Sequence, residues 1–129
     1  MEDLLLRPDS RGRTPLIDFK TSGELTIAGR SIVEDAIEYY KPVLEWIKDL
    51  NEGGPSIVTM SIHLEYFNTS SSKVILNILR SLERIHLRGK TRVIIKWLYS
   101  DDDLDMYEAG HDYQSFVKLP IRMTSTDKN

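Results

Sequence analysis

The segment Asn68-Thr69-Ser70-Ser71-Ser72-Lys73 puts four hydroxyl side chains in a row between an apolar run and a helical pattern. Where a strand feeds directly into a helix, the first helical residues lie beside backbone N–H groups that have no partner within the helix, at the positive end of its dipole. An anion is favoured there. A phosphate on Thr69 would bring about 1.5 to 2 negative charges to that end, with Lys73 one turn on as a counter-charge. Ser70, Ser71 and Ser72 are alternative acceptors. Asn68, Thr69 or Ser70 also suits the plain role of helix cap, and a cap is compatible with a modified neighbour.

Other chemistry has less to stand on. His63, His86 and His111 are expected in a strand, a helix and a loop after a helix. His63 faces away from Val58, Met60, Ile62 and Leu64, and no HxH or HExxH spacing occurs, so a catalytic or metal-bound histidine is not expected. Asp101-Asp102-Asp103 lacks the alternating ligands and the glycine of a calcium loop. There is no GxGxxG or GxxxxGK[ST] run to cradle a nucleotide. Cysteine is absent, which excludes disulfides, thiolate metal sites and a thiol nucleophile. No cofactor is expected. A second surface is formed by Lys73, Asn77, Arg80, Arg84 and Arg88, whose helical spacing stacks them along one stripe with only Glu83 near it. Such a stripe is either a solvated face or a place for a partner to touch.

The chain has 129 residues, a formal charge of -3 and 40% hydrophobic residues, enough for one domain with one core. Mild acidity argues against nucleic-acid binding, which draws on clustered cations to displace counterions from phosphates. No apolar run approaches the roughly 20 residues of a membrane-spanning helix. The opening MEDLLLRPDSRGR carries acids at Glu2 and Asp3, unlike a secretory leader. A cytoplasmic protein without membrane insertion is expected.

The elements that position the hydroxyl run follow from period and punctuation. Residues 1–13 have no periodicity and are expected as a flexible lead-in, before a domain over 14–123 and a polar tail over 124–129. Leu16 to Phe19 and Glu24 to Ala28 read as a hairpin turning at Gly23. Gly29-Arg30-Ser31 ends that hairpin, and Ser31 with Glu34 forms a capping box for a helix in which Val33, Ala36, Ile37, Tyr40, Leu44 and Ile47 share a face. Pro42 should kink that helix or restart it, and Asn51-Glu52-Gly53-Gly54-Pro55 stops it.

Ser56 to Phe67 alternates cleanly from Val58 to Tyr66 and reads as a long strand. Val74, Ile75, Ile78, Leu79, Leu82 and Ile85 then predict a second helix ending at Gly89. Arg92 to Tyr99 is a strand whose apolar centre suggests burial on both faces. Asp101, Asp102, Asp103 and Asp105 start a third helix, and Phe116 to Ile121 is a last strand with Pro120 at an edge. The order ββαβαβαβ specifies an α/β fold, a single mixed sheet of about five strands with about three helices and right-handed crossovers.

Thr14 to Phe19, Gly29-Arg30-Ser31 leading to Tyr39-Tyr40-Lys41-Pro42-Val43-Leu44-Glu45-Trp46, Leu64 to Lys73, and Glu108-Ala109-Gly110-His111-Asp112-Tyr113 resemble, in this order, the SiaC family of bacterial regulatory phosphoproteins. The resemblance runs from about Thr14 to Ile121. It implies a fold similar to the anti-sigma-factor antagonists (STAS-like), in which a phosphorylatable hydroxyl opens a helix at a strand end. It also implies a partner switch. A serine/threonine kinase of histidine-kinase-like fold and a PP2C-type phosphatase would set the state of Thr69, which matches the family threonine. The unphosphorylated form would bind and activate a diguanylate cyclase that makes cyclic di-GMP for biofilm control.

In that scheme Tyr66, Asn68, Thr69, Ser70, Lys73, Asn77 and Arg80 meet the partner, and the protein has no catalytic role. An anti-sigma factor or a sensory kinase is an alternative output. A small hydrolase using Thr69 or Ser70 with His63 or His111 is the alternative from another class.

Overall fold

Val58, Met60, Ile62 and Leu64 are buried, as are Val93, Ile95 and Trp97, while the residues between them are partly or fully exposed. This two-residue period belongs to strands that cover a core with one face. The computed structural model describes residues 1–50 and 54–127. Six strands form one sheet in chain order: β1 (Leu4–Leu6), β2 (Leu16–Phe19), β3 (Glu24–Ser31), β4 (Ile57–Phe67), β5 (Arg92–Tyr99) and β6 (Ile121–Ser125). β1, β2 and β3 are antiparallel neighbours, and β3 to β6 are parallel. The parallel strands are joined by α1 (Ala36–Tyr39) with α2 (Lys41–Leu50), by α3 (Thr69–Leu87) and by α4 (Leu104–Phe116).

Right-handed crossovers that step across the sheet in one direction must all lie on the same side. The helices therefore cover one face and leave the other to solvent. Thr26, Ser61, Lys96 and Arg122 align in register across the open face, and Lys96 and Arg122 are exposed. The expectation that β5 is buried on both faces is corrected on this ground: Ile94 and Leu98 lie on the open side and are only partly buried. An apolar run alone does not reveal how many layers flank a strand.

The hairpin of β2 and β3 turns at Gly23, with φ of +103°. Its carbonyl accepts from the Thr59 amide at 2.8 Å. A Cβ at this position would collide with the Ile57 carbonyl, so both the backbone conformation and the close approach of β4 call for glycine. α3 lays Val74, Ile75, Ile78, Leu79, Leu82 and Ile85 into the core. Each is worth roughly 1.5–3 kcal/mol on full burial.

Several boundaries differ from the sequence expectation. The lead-in contains β1, because Leu4 to Leu6 pair with Ile17 to Phe19 and the Trp46 indole donates to the Glu2 carbonyl at 2.7 Å. The sheet accordingly has six strands rather than about five. Ser31 does not open a helix; it is the buried last residue of β3. Asp35 caps α1 instead, accepting from the Glu38 amide at 3.2 Å. The helical pattern breaks at Tyr40 and restarts as α2, with Pro42 in its first turn, where a missing N–H costs nothing.

The expected last strand is also displaced. Phe116 ends α4, and β6 runs from Ile121 through Thr124 and Ser125 of the expected tail. Pro120 precedes that edge strand and its carbonyl accepts from the Ile95 amide at 2.9 Å. Asp101 and Asp102 precede α4 rather than start it, and Asp103 is its cap, accepting from the Met106 amide at 3.1 Å. Asn51, Glu52 and Gly53, within the expected helix stop, and Lys128 and Asn129 lie outside the described residues.

α4 packs closely on the sheet at Gly110. A Cβ there would stand 2.5 Å from Trp97 Cδ1 and 2.8 Å from Met123 Sδ. Alanine is the better helix former by about 1 kcal/mol, but the overlap falls on a buried indole that the Met106 carbonyl holds at 2.9 Å. Gly110→Ala should therefore destabilise the protein by about 1–2 kcal/mol net, read as a lower urea midpoint at unchanged slope.

Candidate functional site

The carboxyl ends of β3 and β4 lie side by side, with Ser31 opposite Phe67. Ligand and partner sites in open α/β sheets gather at such ends. The alternation expected through Tyr66 is broken first: Gly29 pairs with Leu64 and Arg30 with Tyr66, which leaves Glu65 as an extra residue. This bulge turns the rest of the strand over. Tyr66 is 52% exposed, and Phe67 points inward, edge-on to Trp97 with centroids 6.3 Å apart. The sequence alternation put Tyr66 on the buried face of the strand, and the bulge puts it on the exposed one.

Asn68 is the cap of α3. Its side-chain oxygen accepts from the Ser71 amide at 2.9 Å and its side-chain nitrogen donates to the Val33 carbonyl at 2.9 Å. This places Thr69 and Ser70 as the first two helical residues, where backbone amides precede the intrahelical ladder.

Below them sits a buried cluster of hydroxyls. Ser31 Oγ is 2.6 Å from Tyr40 Oη and donates to Ser71 Oγ at 2.7 Å, and Ser71 Oγ donates to the Ser31 carbonyl at 3.0 Å. Ser31, Tyr40 and Ser71 are fully buried. Burial pushes the Tyr40 phenol up to about 12, opposed in part by its hydrogen bond to Ser31. On the other flank Trp97 lies 5.4 Å from Tyr113, whose hydroxyl donates to the Ser72 carbonyl at 2.8 Å and is also raised by burial.

The four adjacent hydroxyls therefore have different surroundings. Ser71 is sealed in the core. Ser70 is half-buried; its hydroxyl accepts from the Ala36 amide at 3.3 Å and donates to the Glu34 carbonyl at 3.4 Å, holding α1 against α3. Ser72 bonds back to the Thr69 carbonyl at 2.7 Å. Thr69 is exposed at the first turn. Beside it an apolar cleft of about 270 Å³ runs between α3 and α4, lined by Phe67, Leu76, Ala109 and Phe116, with Lys73 and Asp112 at its rim. Lys73, one helical turn after Thr69, thus borders this cleft, whereas Asn77 and Arg80 turn toward α2 and line a separate groove.

The histidines do not join this site. His63 is exposed on the open face. His111 is inside α4 rather than in a loop after it, with Nε2 2.9 Å from Tyr107 Oη. Among the described residues no group of three or more His, Cys, Asp or Glu is placed to hold a metal ion, and no helix is long and apolar enough to cross a membrane. The Ser31–Tyr40–Ser71 cluster escaped sequence reading, since a serine at a strand end and a tyrosine in an amphipathic helix look ordinary separately.

The model of the SiaC family of regulatory phosphoproteins matches residues 9–126. An uncharacterised protein of Pseudomonas aeruginosa strain UCBPP-PA14 is 26% identical over 107 residues, covering 83% of this chain and 84% of that protein. The solved SiaC of Pseudomonas aeruginosa, 26% identical, superposes with a TM-score of 0.86 over 97% of this chain and 99% of its own. A crystal structure of the diguanylate cyclase SiaD in complex with its activator SiaC, from the same organism, matches with a TM-score of 0.87 over 95% of this chain and 99% of the matched chain at 26% identity.

Two measurements test this geometry. Thr69→Asp should leave stability unchanged or raise it by about 0.3–1 kcal/mol through the helix dipole, whereas Ser71→Asp, burying a charge in the hydroxyl cluster, should cost more than about 3 kcal/mol; chemical denaturation ranks the two. The Tyr40 phenol is raised above its ordinary value of 10, so its contribution to stability is complete below about pH 10 and is lost as pH climbs toward 12. Tyr40→Phe should make the alkaline limb of the stability profile shallower.

Proposed function

The chain belongs to the SiaC family of regulatory phosphoproteins, and on that premise we propose that it is a phosphorylation-controlled activator of a diguanylate cyclase, with Thr69 as the modified residue. The observation that carries the assignment of Thr69 is its exposure at the first position of α3 while Ser71, two residues on, is sealed. Ser70 and Ser72 are tied into local hydrogen bonds. The cyclase as output rests on the likeness to the SiaC chain solved in complex with SiaD.

In the unphosphorylated state the rim of Tyr66, Asn68, Ser70 and Lys73 around Thr69, with the neighbouring apolar cleft, packs against the cyclase. Tyr66 and Phe116 are 52% and 57% exposed, surface whose burial supplies affinity. A phosphate on Thr69 adds bulk and about 1.5 to 2 charges. Carboxylates of Glu65, Asp103 and Asp105 line an adjoining hollow, so the added charge meets mainly Lys73 and stays hydrated. Docking would have to strip that water, and the contact is lost. A serine/threonine kinase of histidine-kinase-like fold and a PP2C-type phosphatase set the state. The protein acts by binding, without turnover of its own, in the cytoplasm.

The test combines phosphosite mapping on protein from the native cell with binding of purified cyclase. Phosphate is expected on Thr69. Thr69→Ala should bind and activate the cyclase as the unmodified protein does, and Thr69→Asp should bind at least about tenfold more weakly. Equal binding by Thr69→Asp, or a phosphate on Ser70 with Thr69 unmodified, would sink the assignment.

A further inference from the structure

α2 and α3 pack side by side, and between them lies an open groove of about 540 Å³. Its floor is apolar, with Ile47 and Ile85 buried and Leu44 partly so. Lys48 forms part of the lining from α2, and Arg80, Arg84 and Arg88 stand along it from α3 and the residue that ends it. All four cations are exposed. Among the described residues no carboxylate lines the groove. Glu83, the acid nearest the stripe in sequence, instead accepts a hydrogen bond from the Lys118 amide.

We propose that this groove seats an acidic amphipathic helix of a partner protein, apolar side on Leu44, Ile47 and Ile85, carboxylates against Lys48 and the three arginines. Charge complementarity argues for the occupant: a chain of net charge -3 gathers Lys48, Arg80, Arg84 and Arg88 over an apolar floor, and binding grooves for amphipathic helices combine such a floor with a charged rim. Spacing argues for its shape. Arg80, Arg84 and Arg88 recur every four residues, about 6 Å apart along the axis, so the ladder extends about 12 Å. A helix bearing carboxylates at the same interval answers each rung, while one phosphate group answers a single rung. The near end of the groove, Asn77, is eight residues and about 12 Å beyond Thr69. The groove is therefore a second contact, independent of the state of Thr69, and it stands or falls separately from the switch.

The test uses two fluorescent peptides of identical composition. One carries glutamates every four residues beside a leucine stripe; the other is a scramble without that pattern. Each is titrated with the full chain at low and at physiological salt. The patterned peptide should bind at least about tenfold more tightly than the scramble, and Arg80→Glu/Arg84→Glu should weaken it by about tenfold or more. A peptide with lysines in place of the glutamates should bind that variant better than it binds wild type, a rescue that a misfolded variant would not give. Thr69→Asp should change the affinity of the patterned peptide by less than about twofold. Equal binding of pattern and scramble would reduce the groove to general ionic attraction. Displacement by inorganic triphosphate without preference for the pattern would assign it to a polyanion. Either result, or no saturable binding at about 1 mM peptide, overturns the proposal.

Discussion

Three buried hydroxyls, Ser31, Tyr40 and Ser71, join the end of β3, the break between α1 and α2, and the first turn of α3 through hydrogen bonds of 2.6 to 3.0 Å. Burying polar groups is costly unless each finds a partner, and once satisfied they specify one arrangement over its neighbours. Here they select the rotational phase of α3. With Ser71 turned inward and its amide held by Asn68, Thr69 has to emerge at the surface. The cap and the cluster act on the same turn, so the helix cannot rotate to present another hydroxyl without breaking both.

The rest of the fold supports that turn. The parallel register sets Ser31 beside Phe67, and the bulge at Glu65 lets β4 turn Phe67 against the core, partly buried, while releasing Tyr66 to solvent. Trp97, held by the Met106 carbonyl, supports Phe67 on one side and Tyr113 on the other. Tyr113 then fixes the Ser72 carbonyl from α4. Rigid elements on both flanks make the Thr69 end a preformed surface, on which the proposed phosphate would change the chemistry without having to reshape the fold.

Much of this was legible in the chain. The strand periods of β2 to β5, the long amphipathic α3, the turn at Gly23 and the restart of the first helix at Pro42 are local properties, encoded by residue spacing and backbone preference. The segment Asn68 to Lys73 announced a strand-to-helix junction with several hydroxyls. Misreadings arose where a local signal competes with a tertiary one. Ser31 has the spacing of a helix cap but extends β3, because pairing with Phe67 and burial against Ser71 outweigh a capping box. Leu4 to Leu6 are too few to mark a strand by period and become one by finding β2 as a template. Phe116 and Val117 resemble a strand start, yet the packing of Gly110 on Trp97 carries α4 up to Phe116.

By itself the sequence determined the types and order of the elements from β2 onward and the single sheet, since hydrophobic period and turn residues act over a few neighbours. It also brought four adjacent hydroxyls to one strand-to-helix junction. Which of them are exposed and which are sealed only the tertiary structure decided. The sealing of Ser71 depends on Ser31 and Tyr40, distant in sequence from it and brought to it only by folding, and the cationic groove likewise exists only because α2 lays Lys48 beside the arginines of α3.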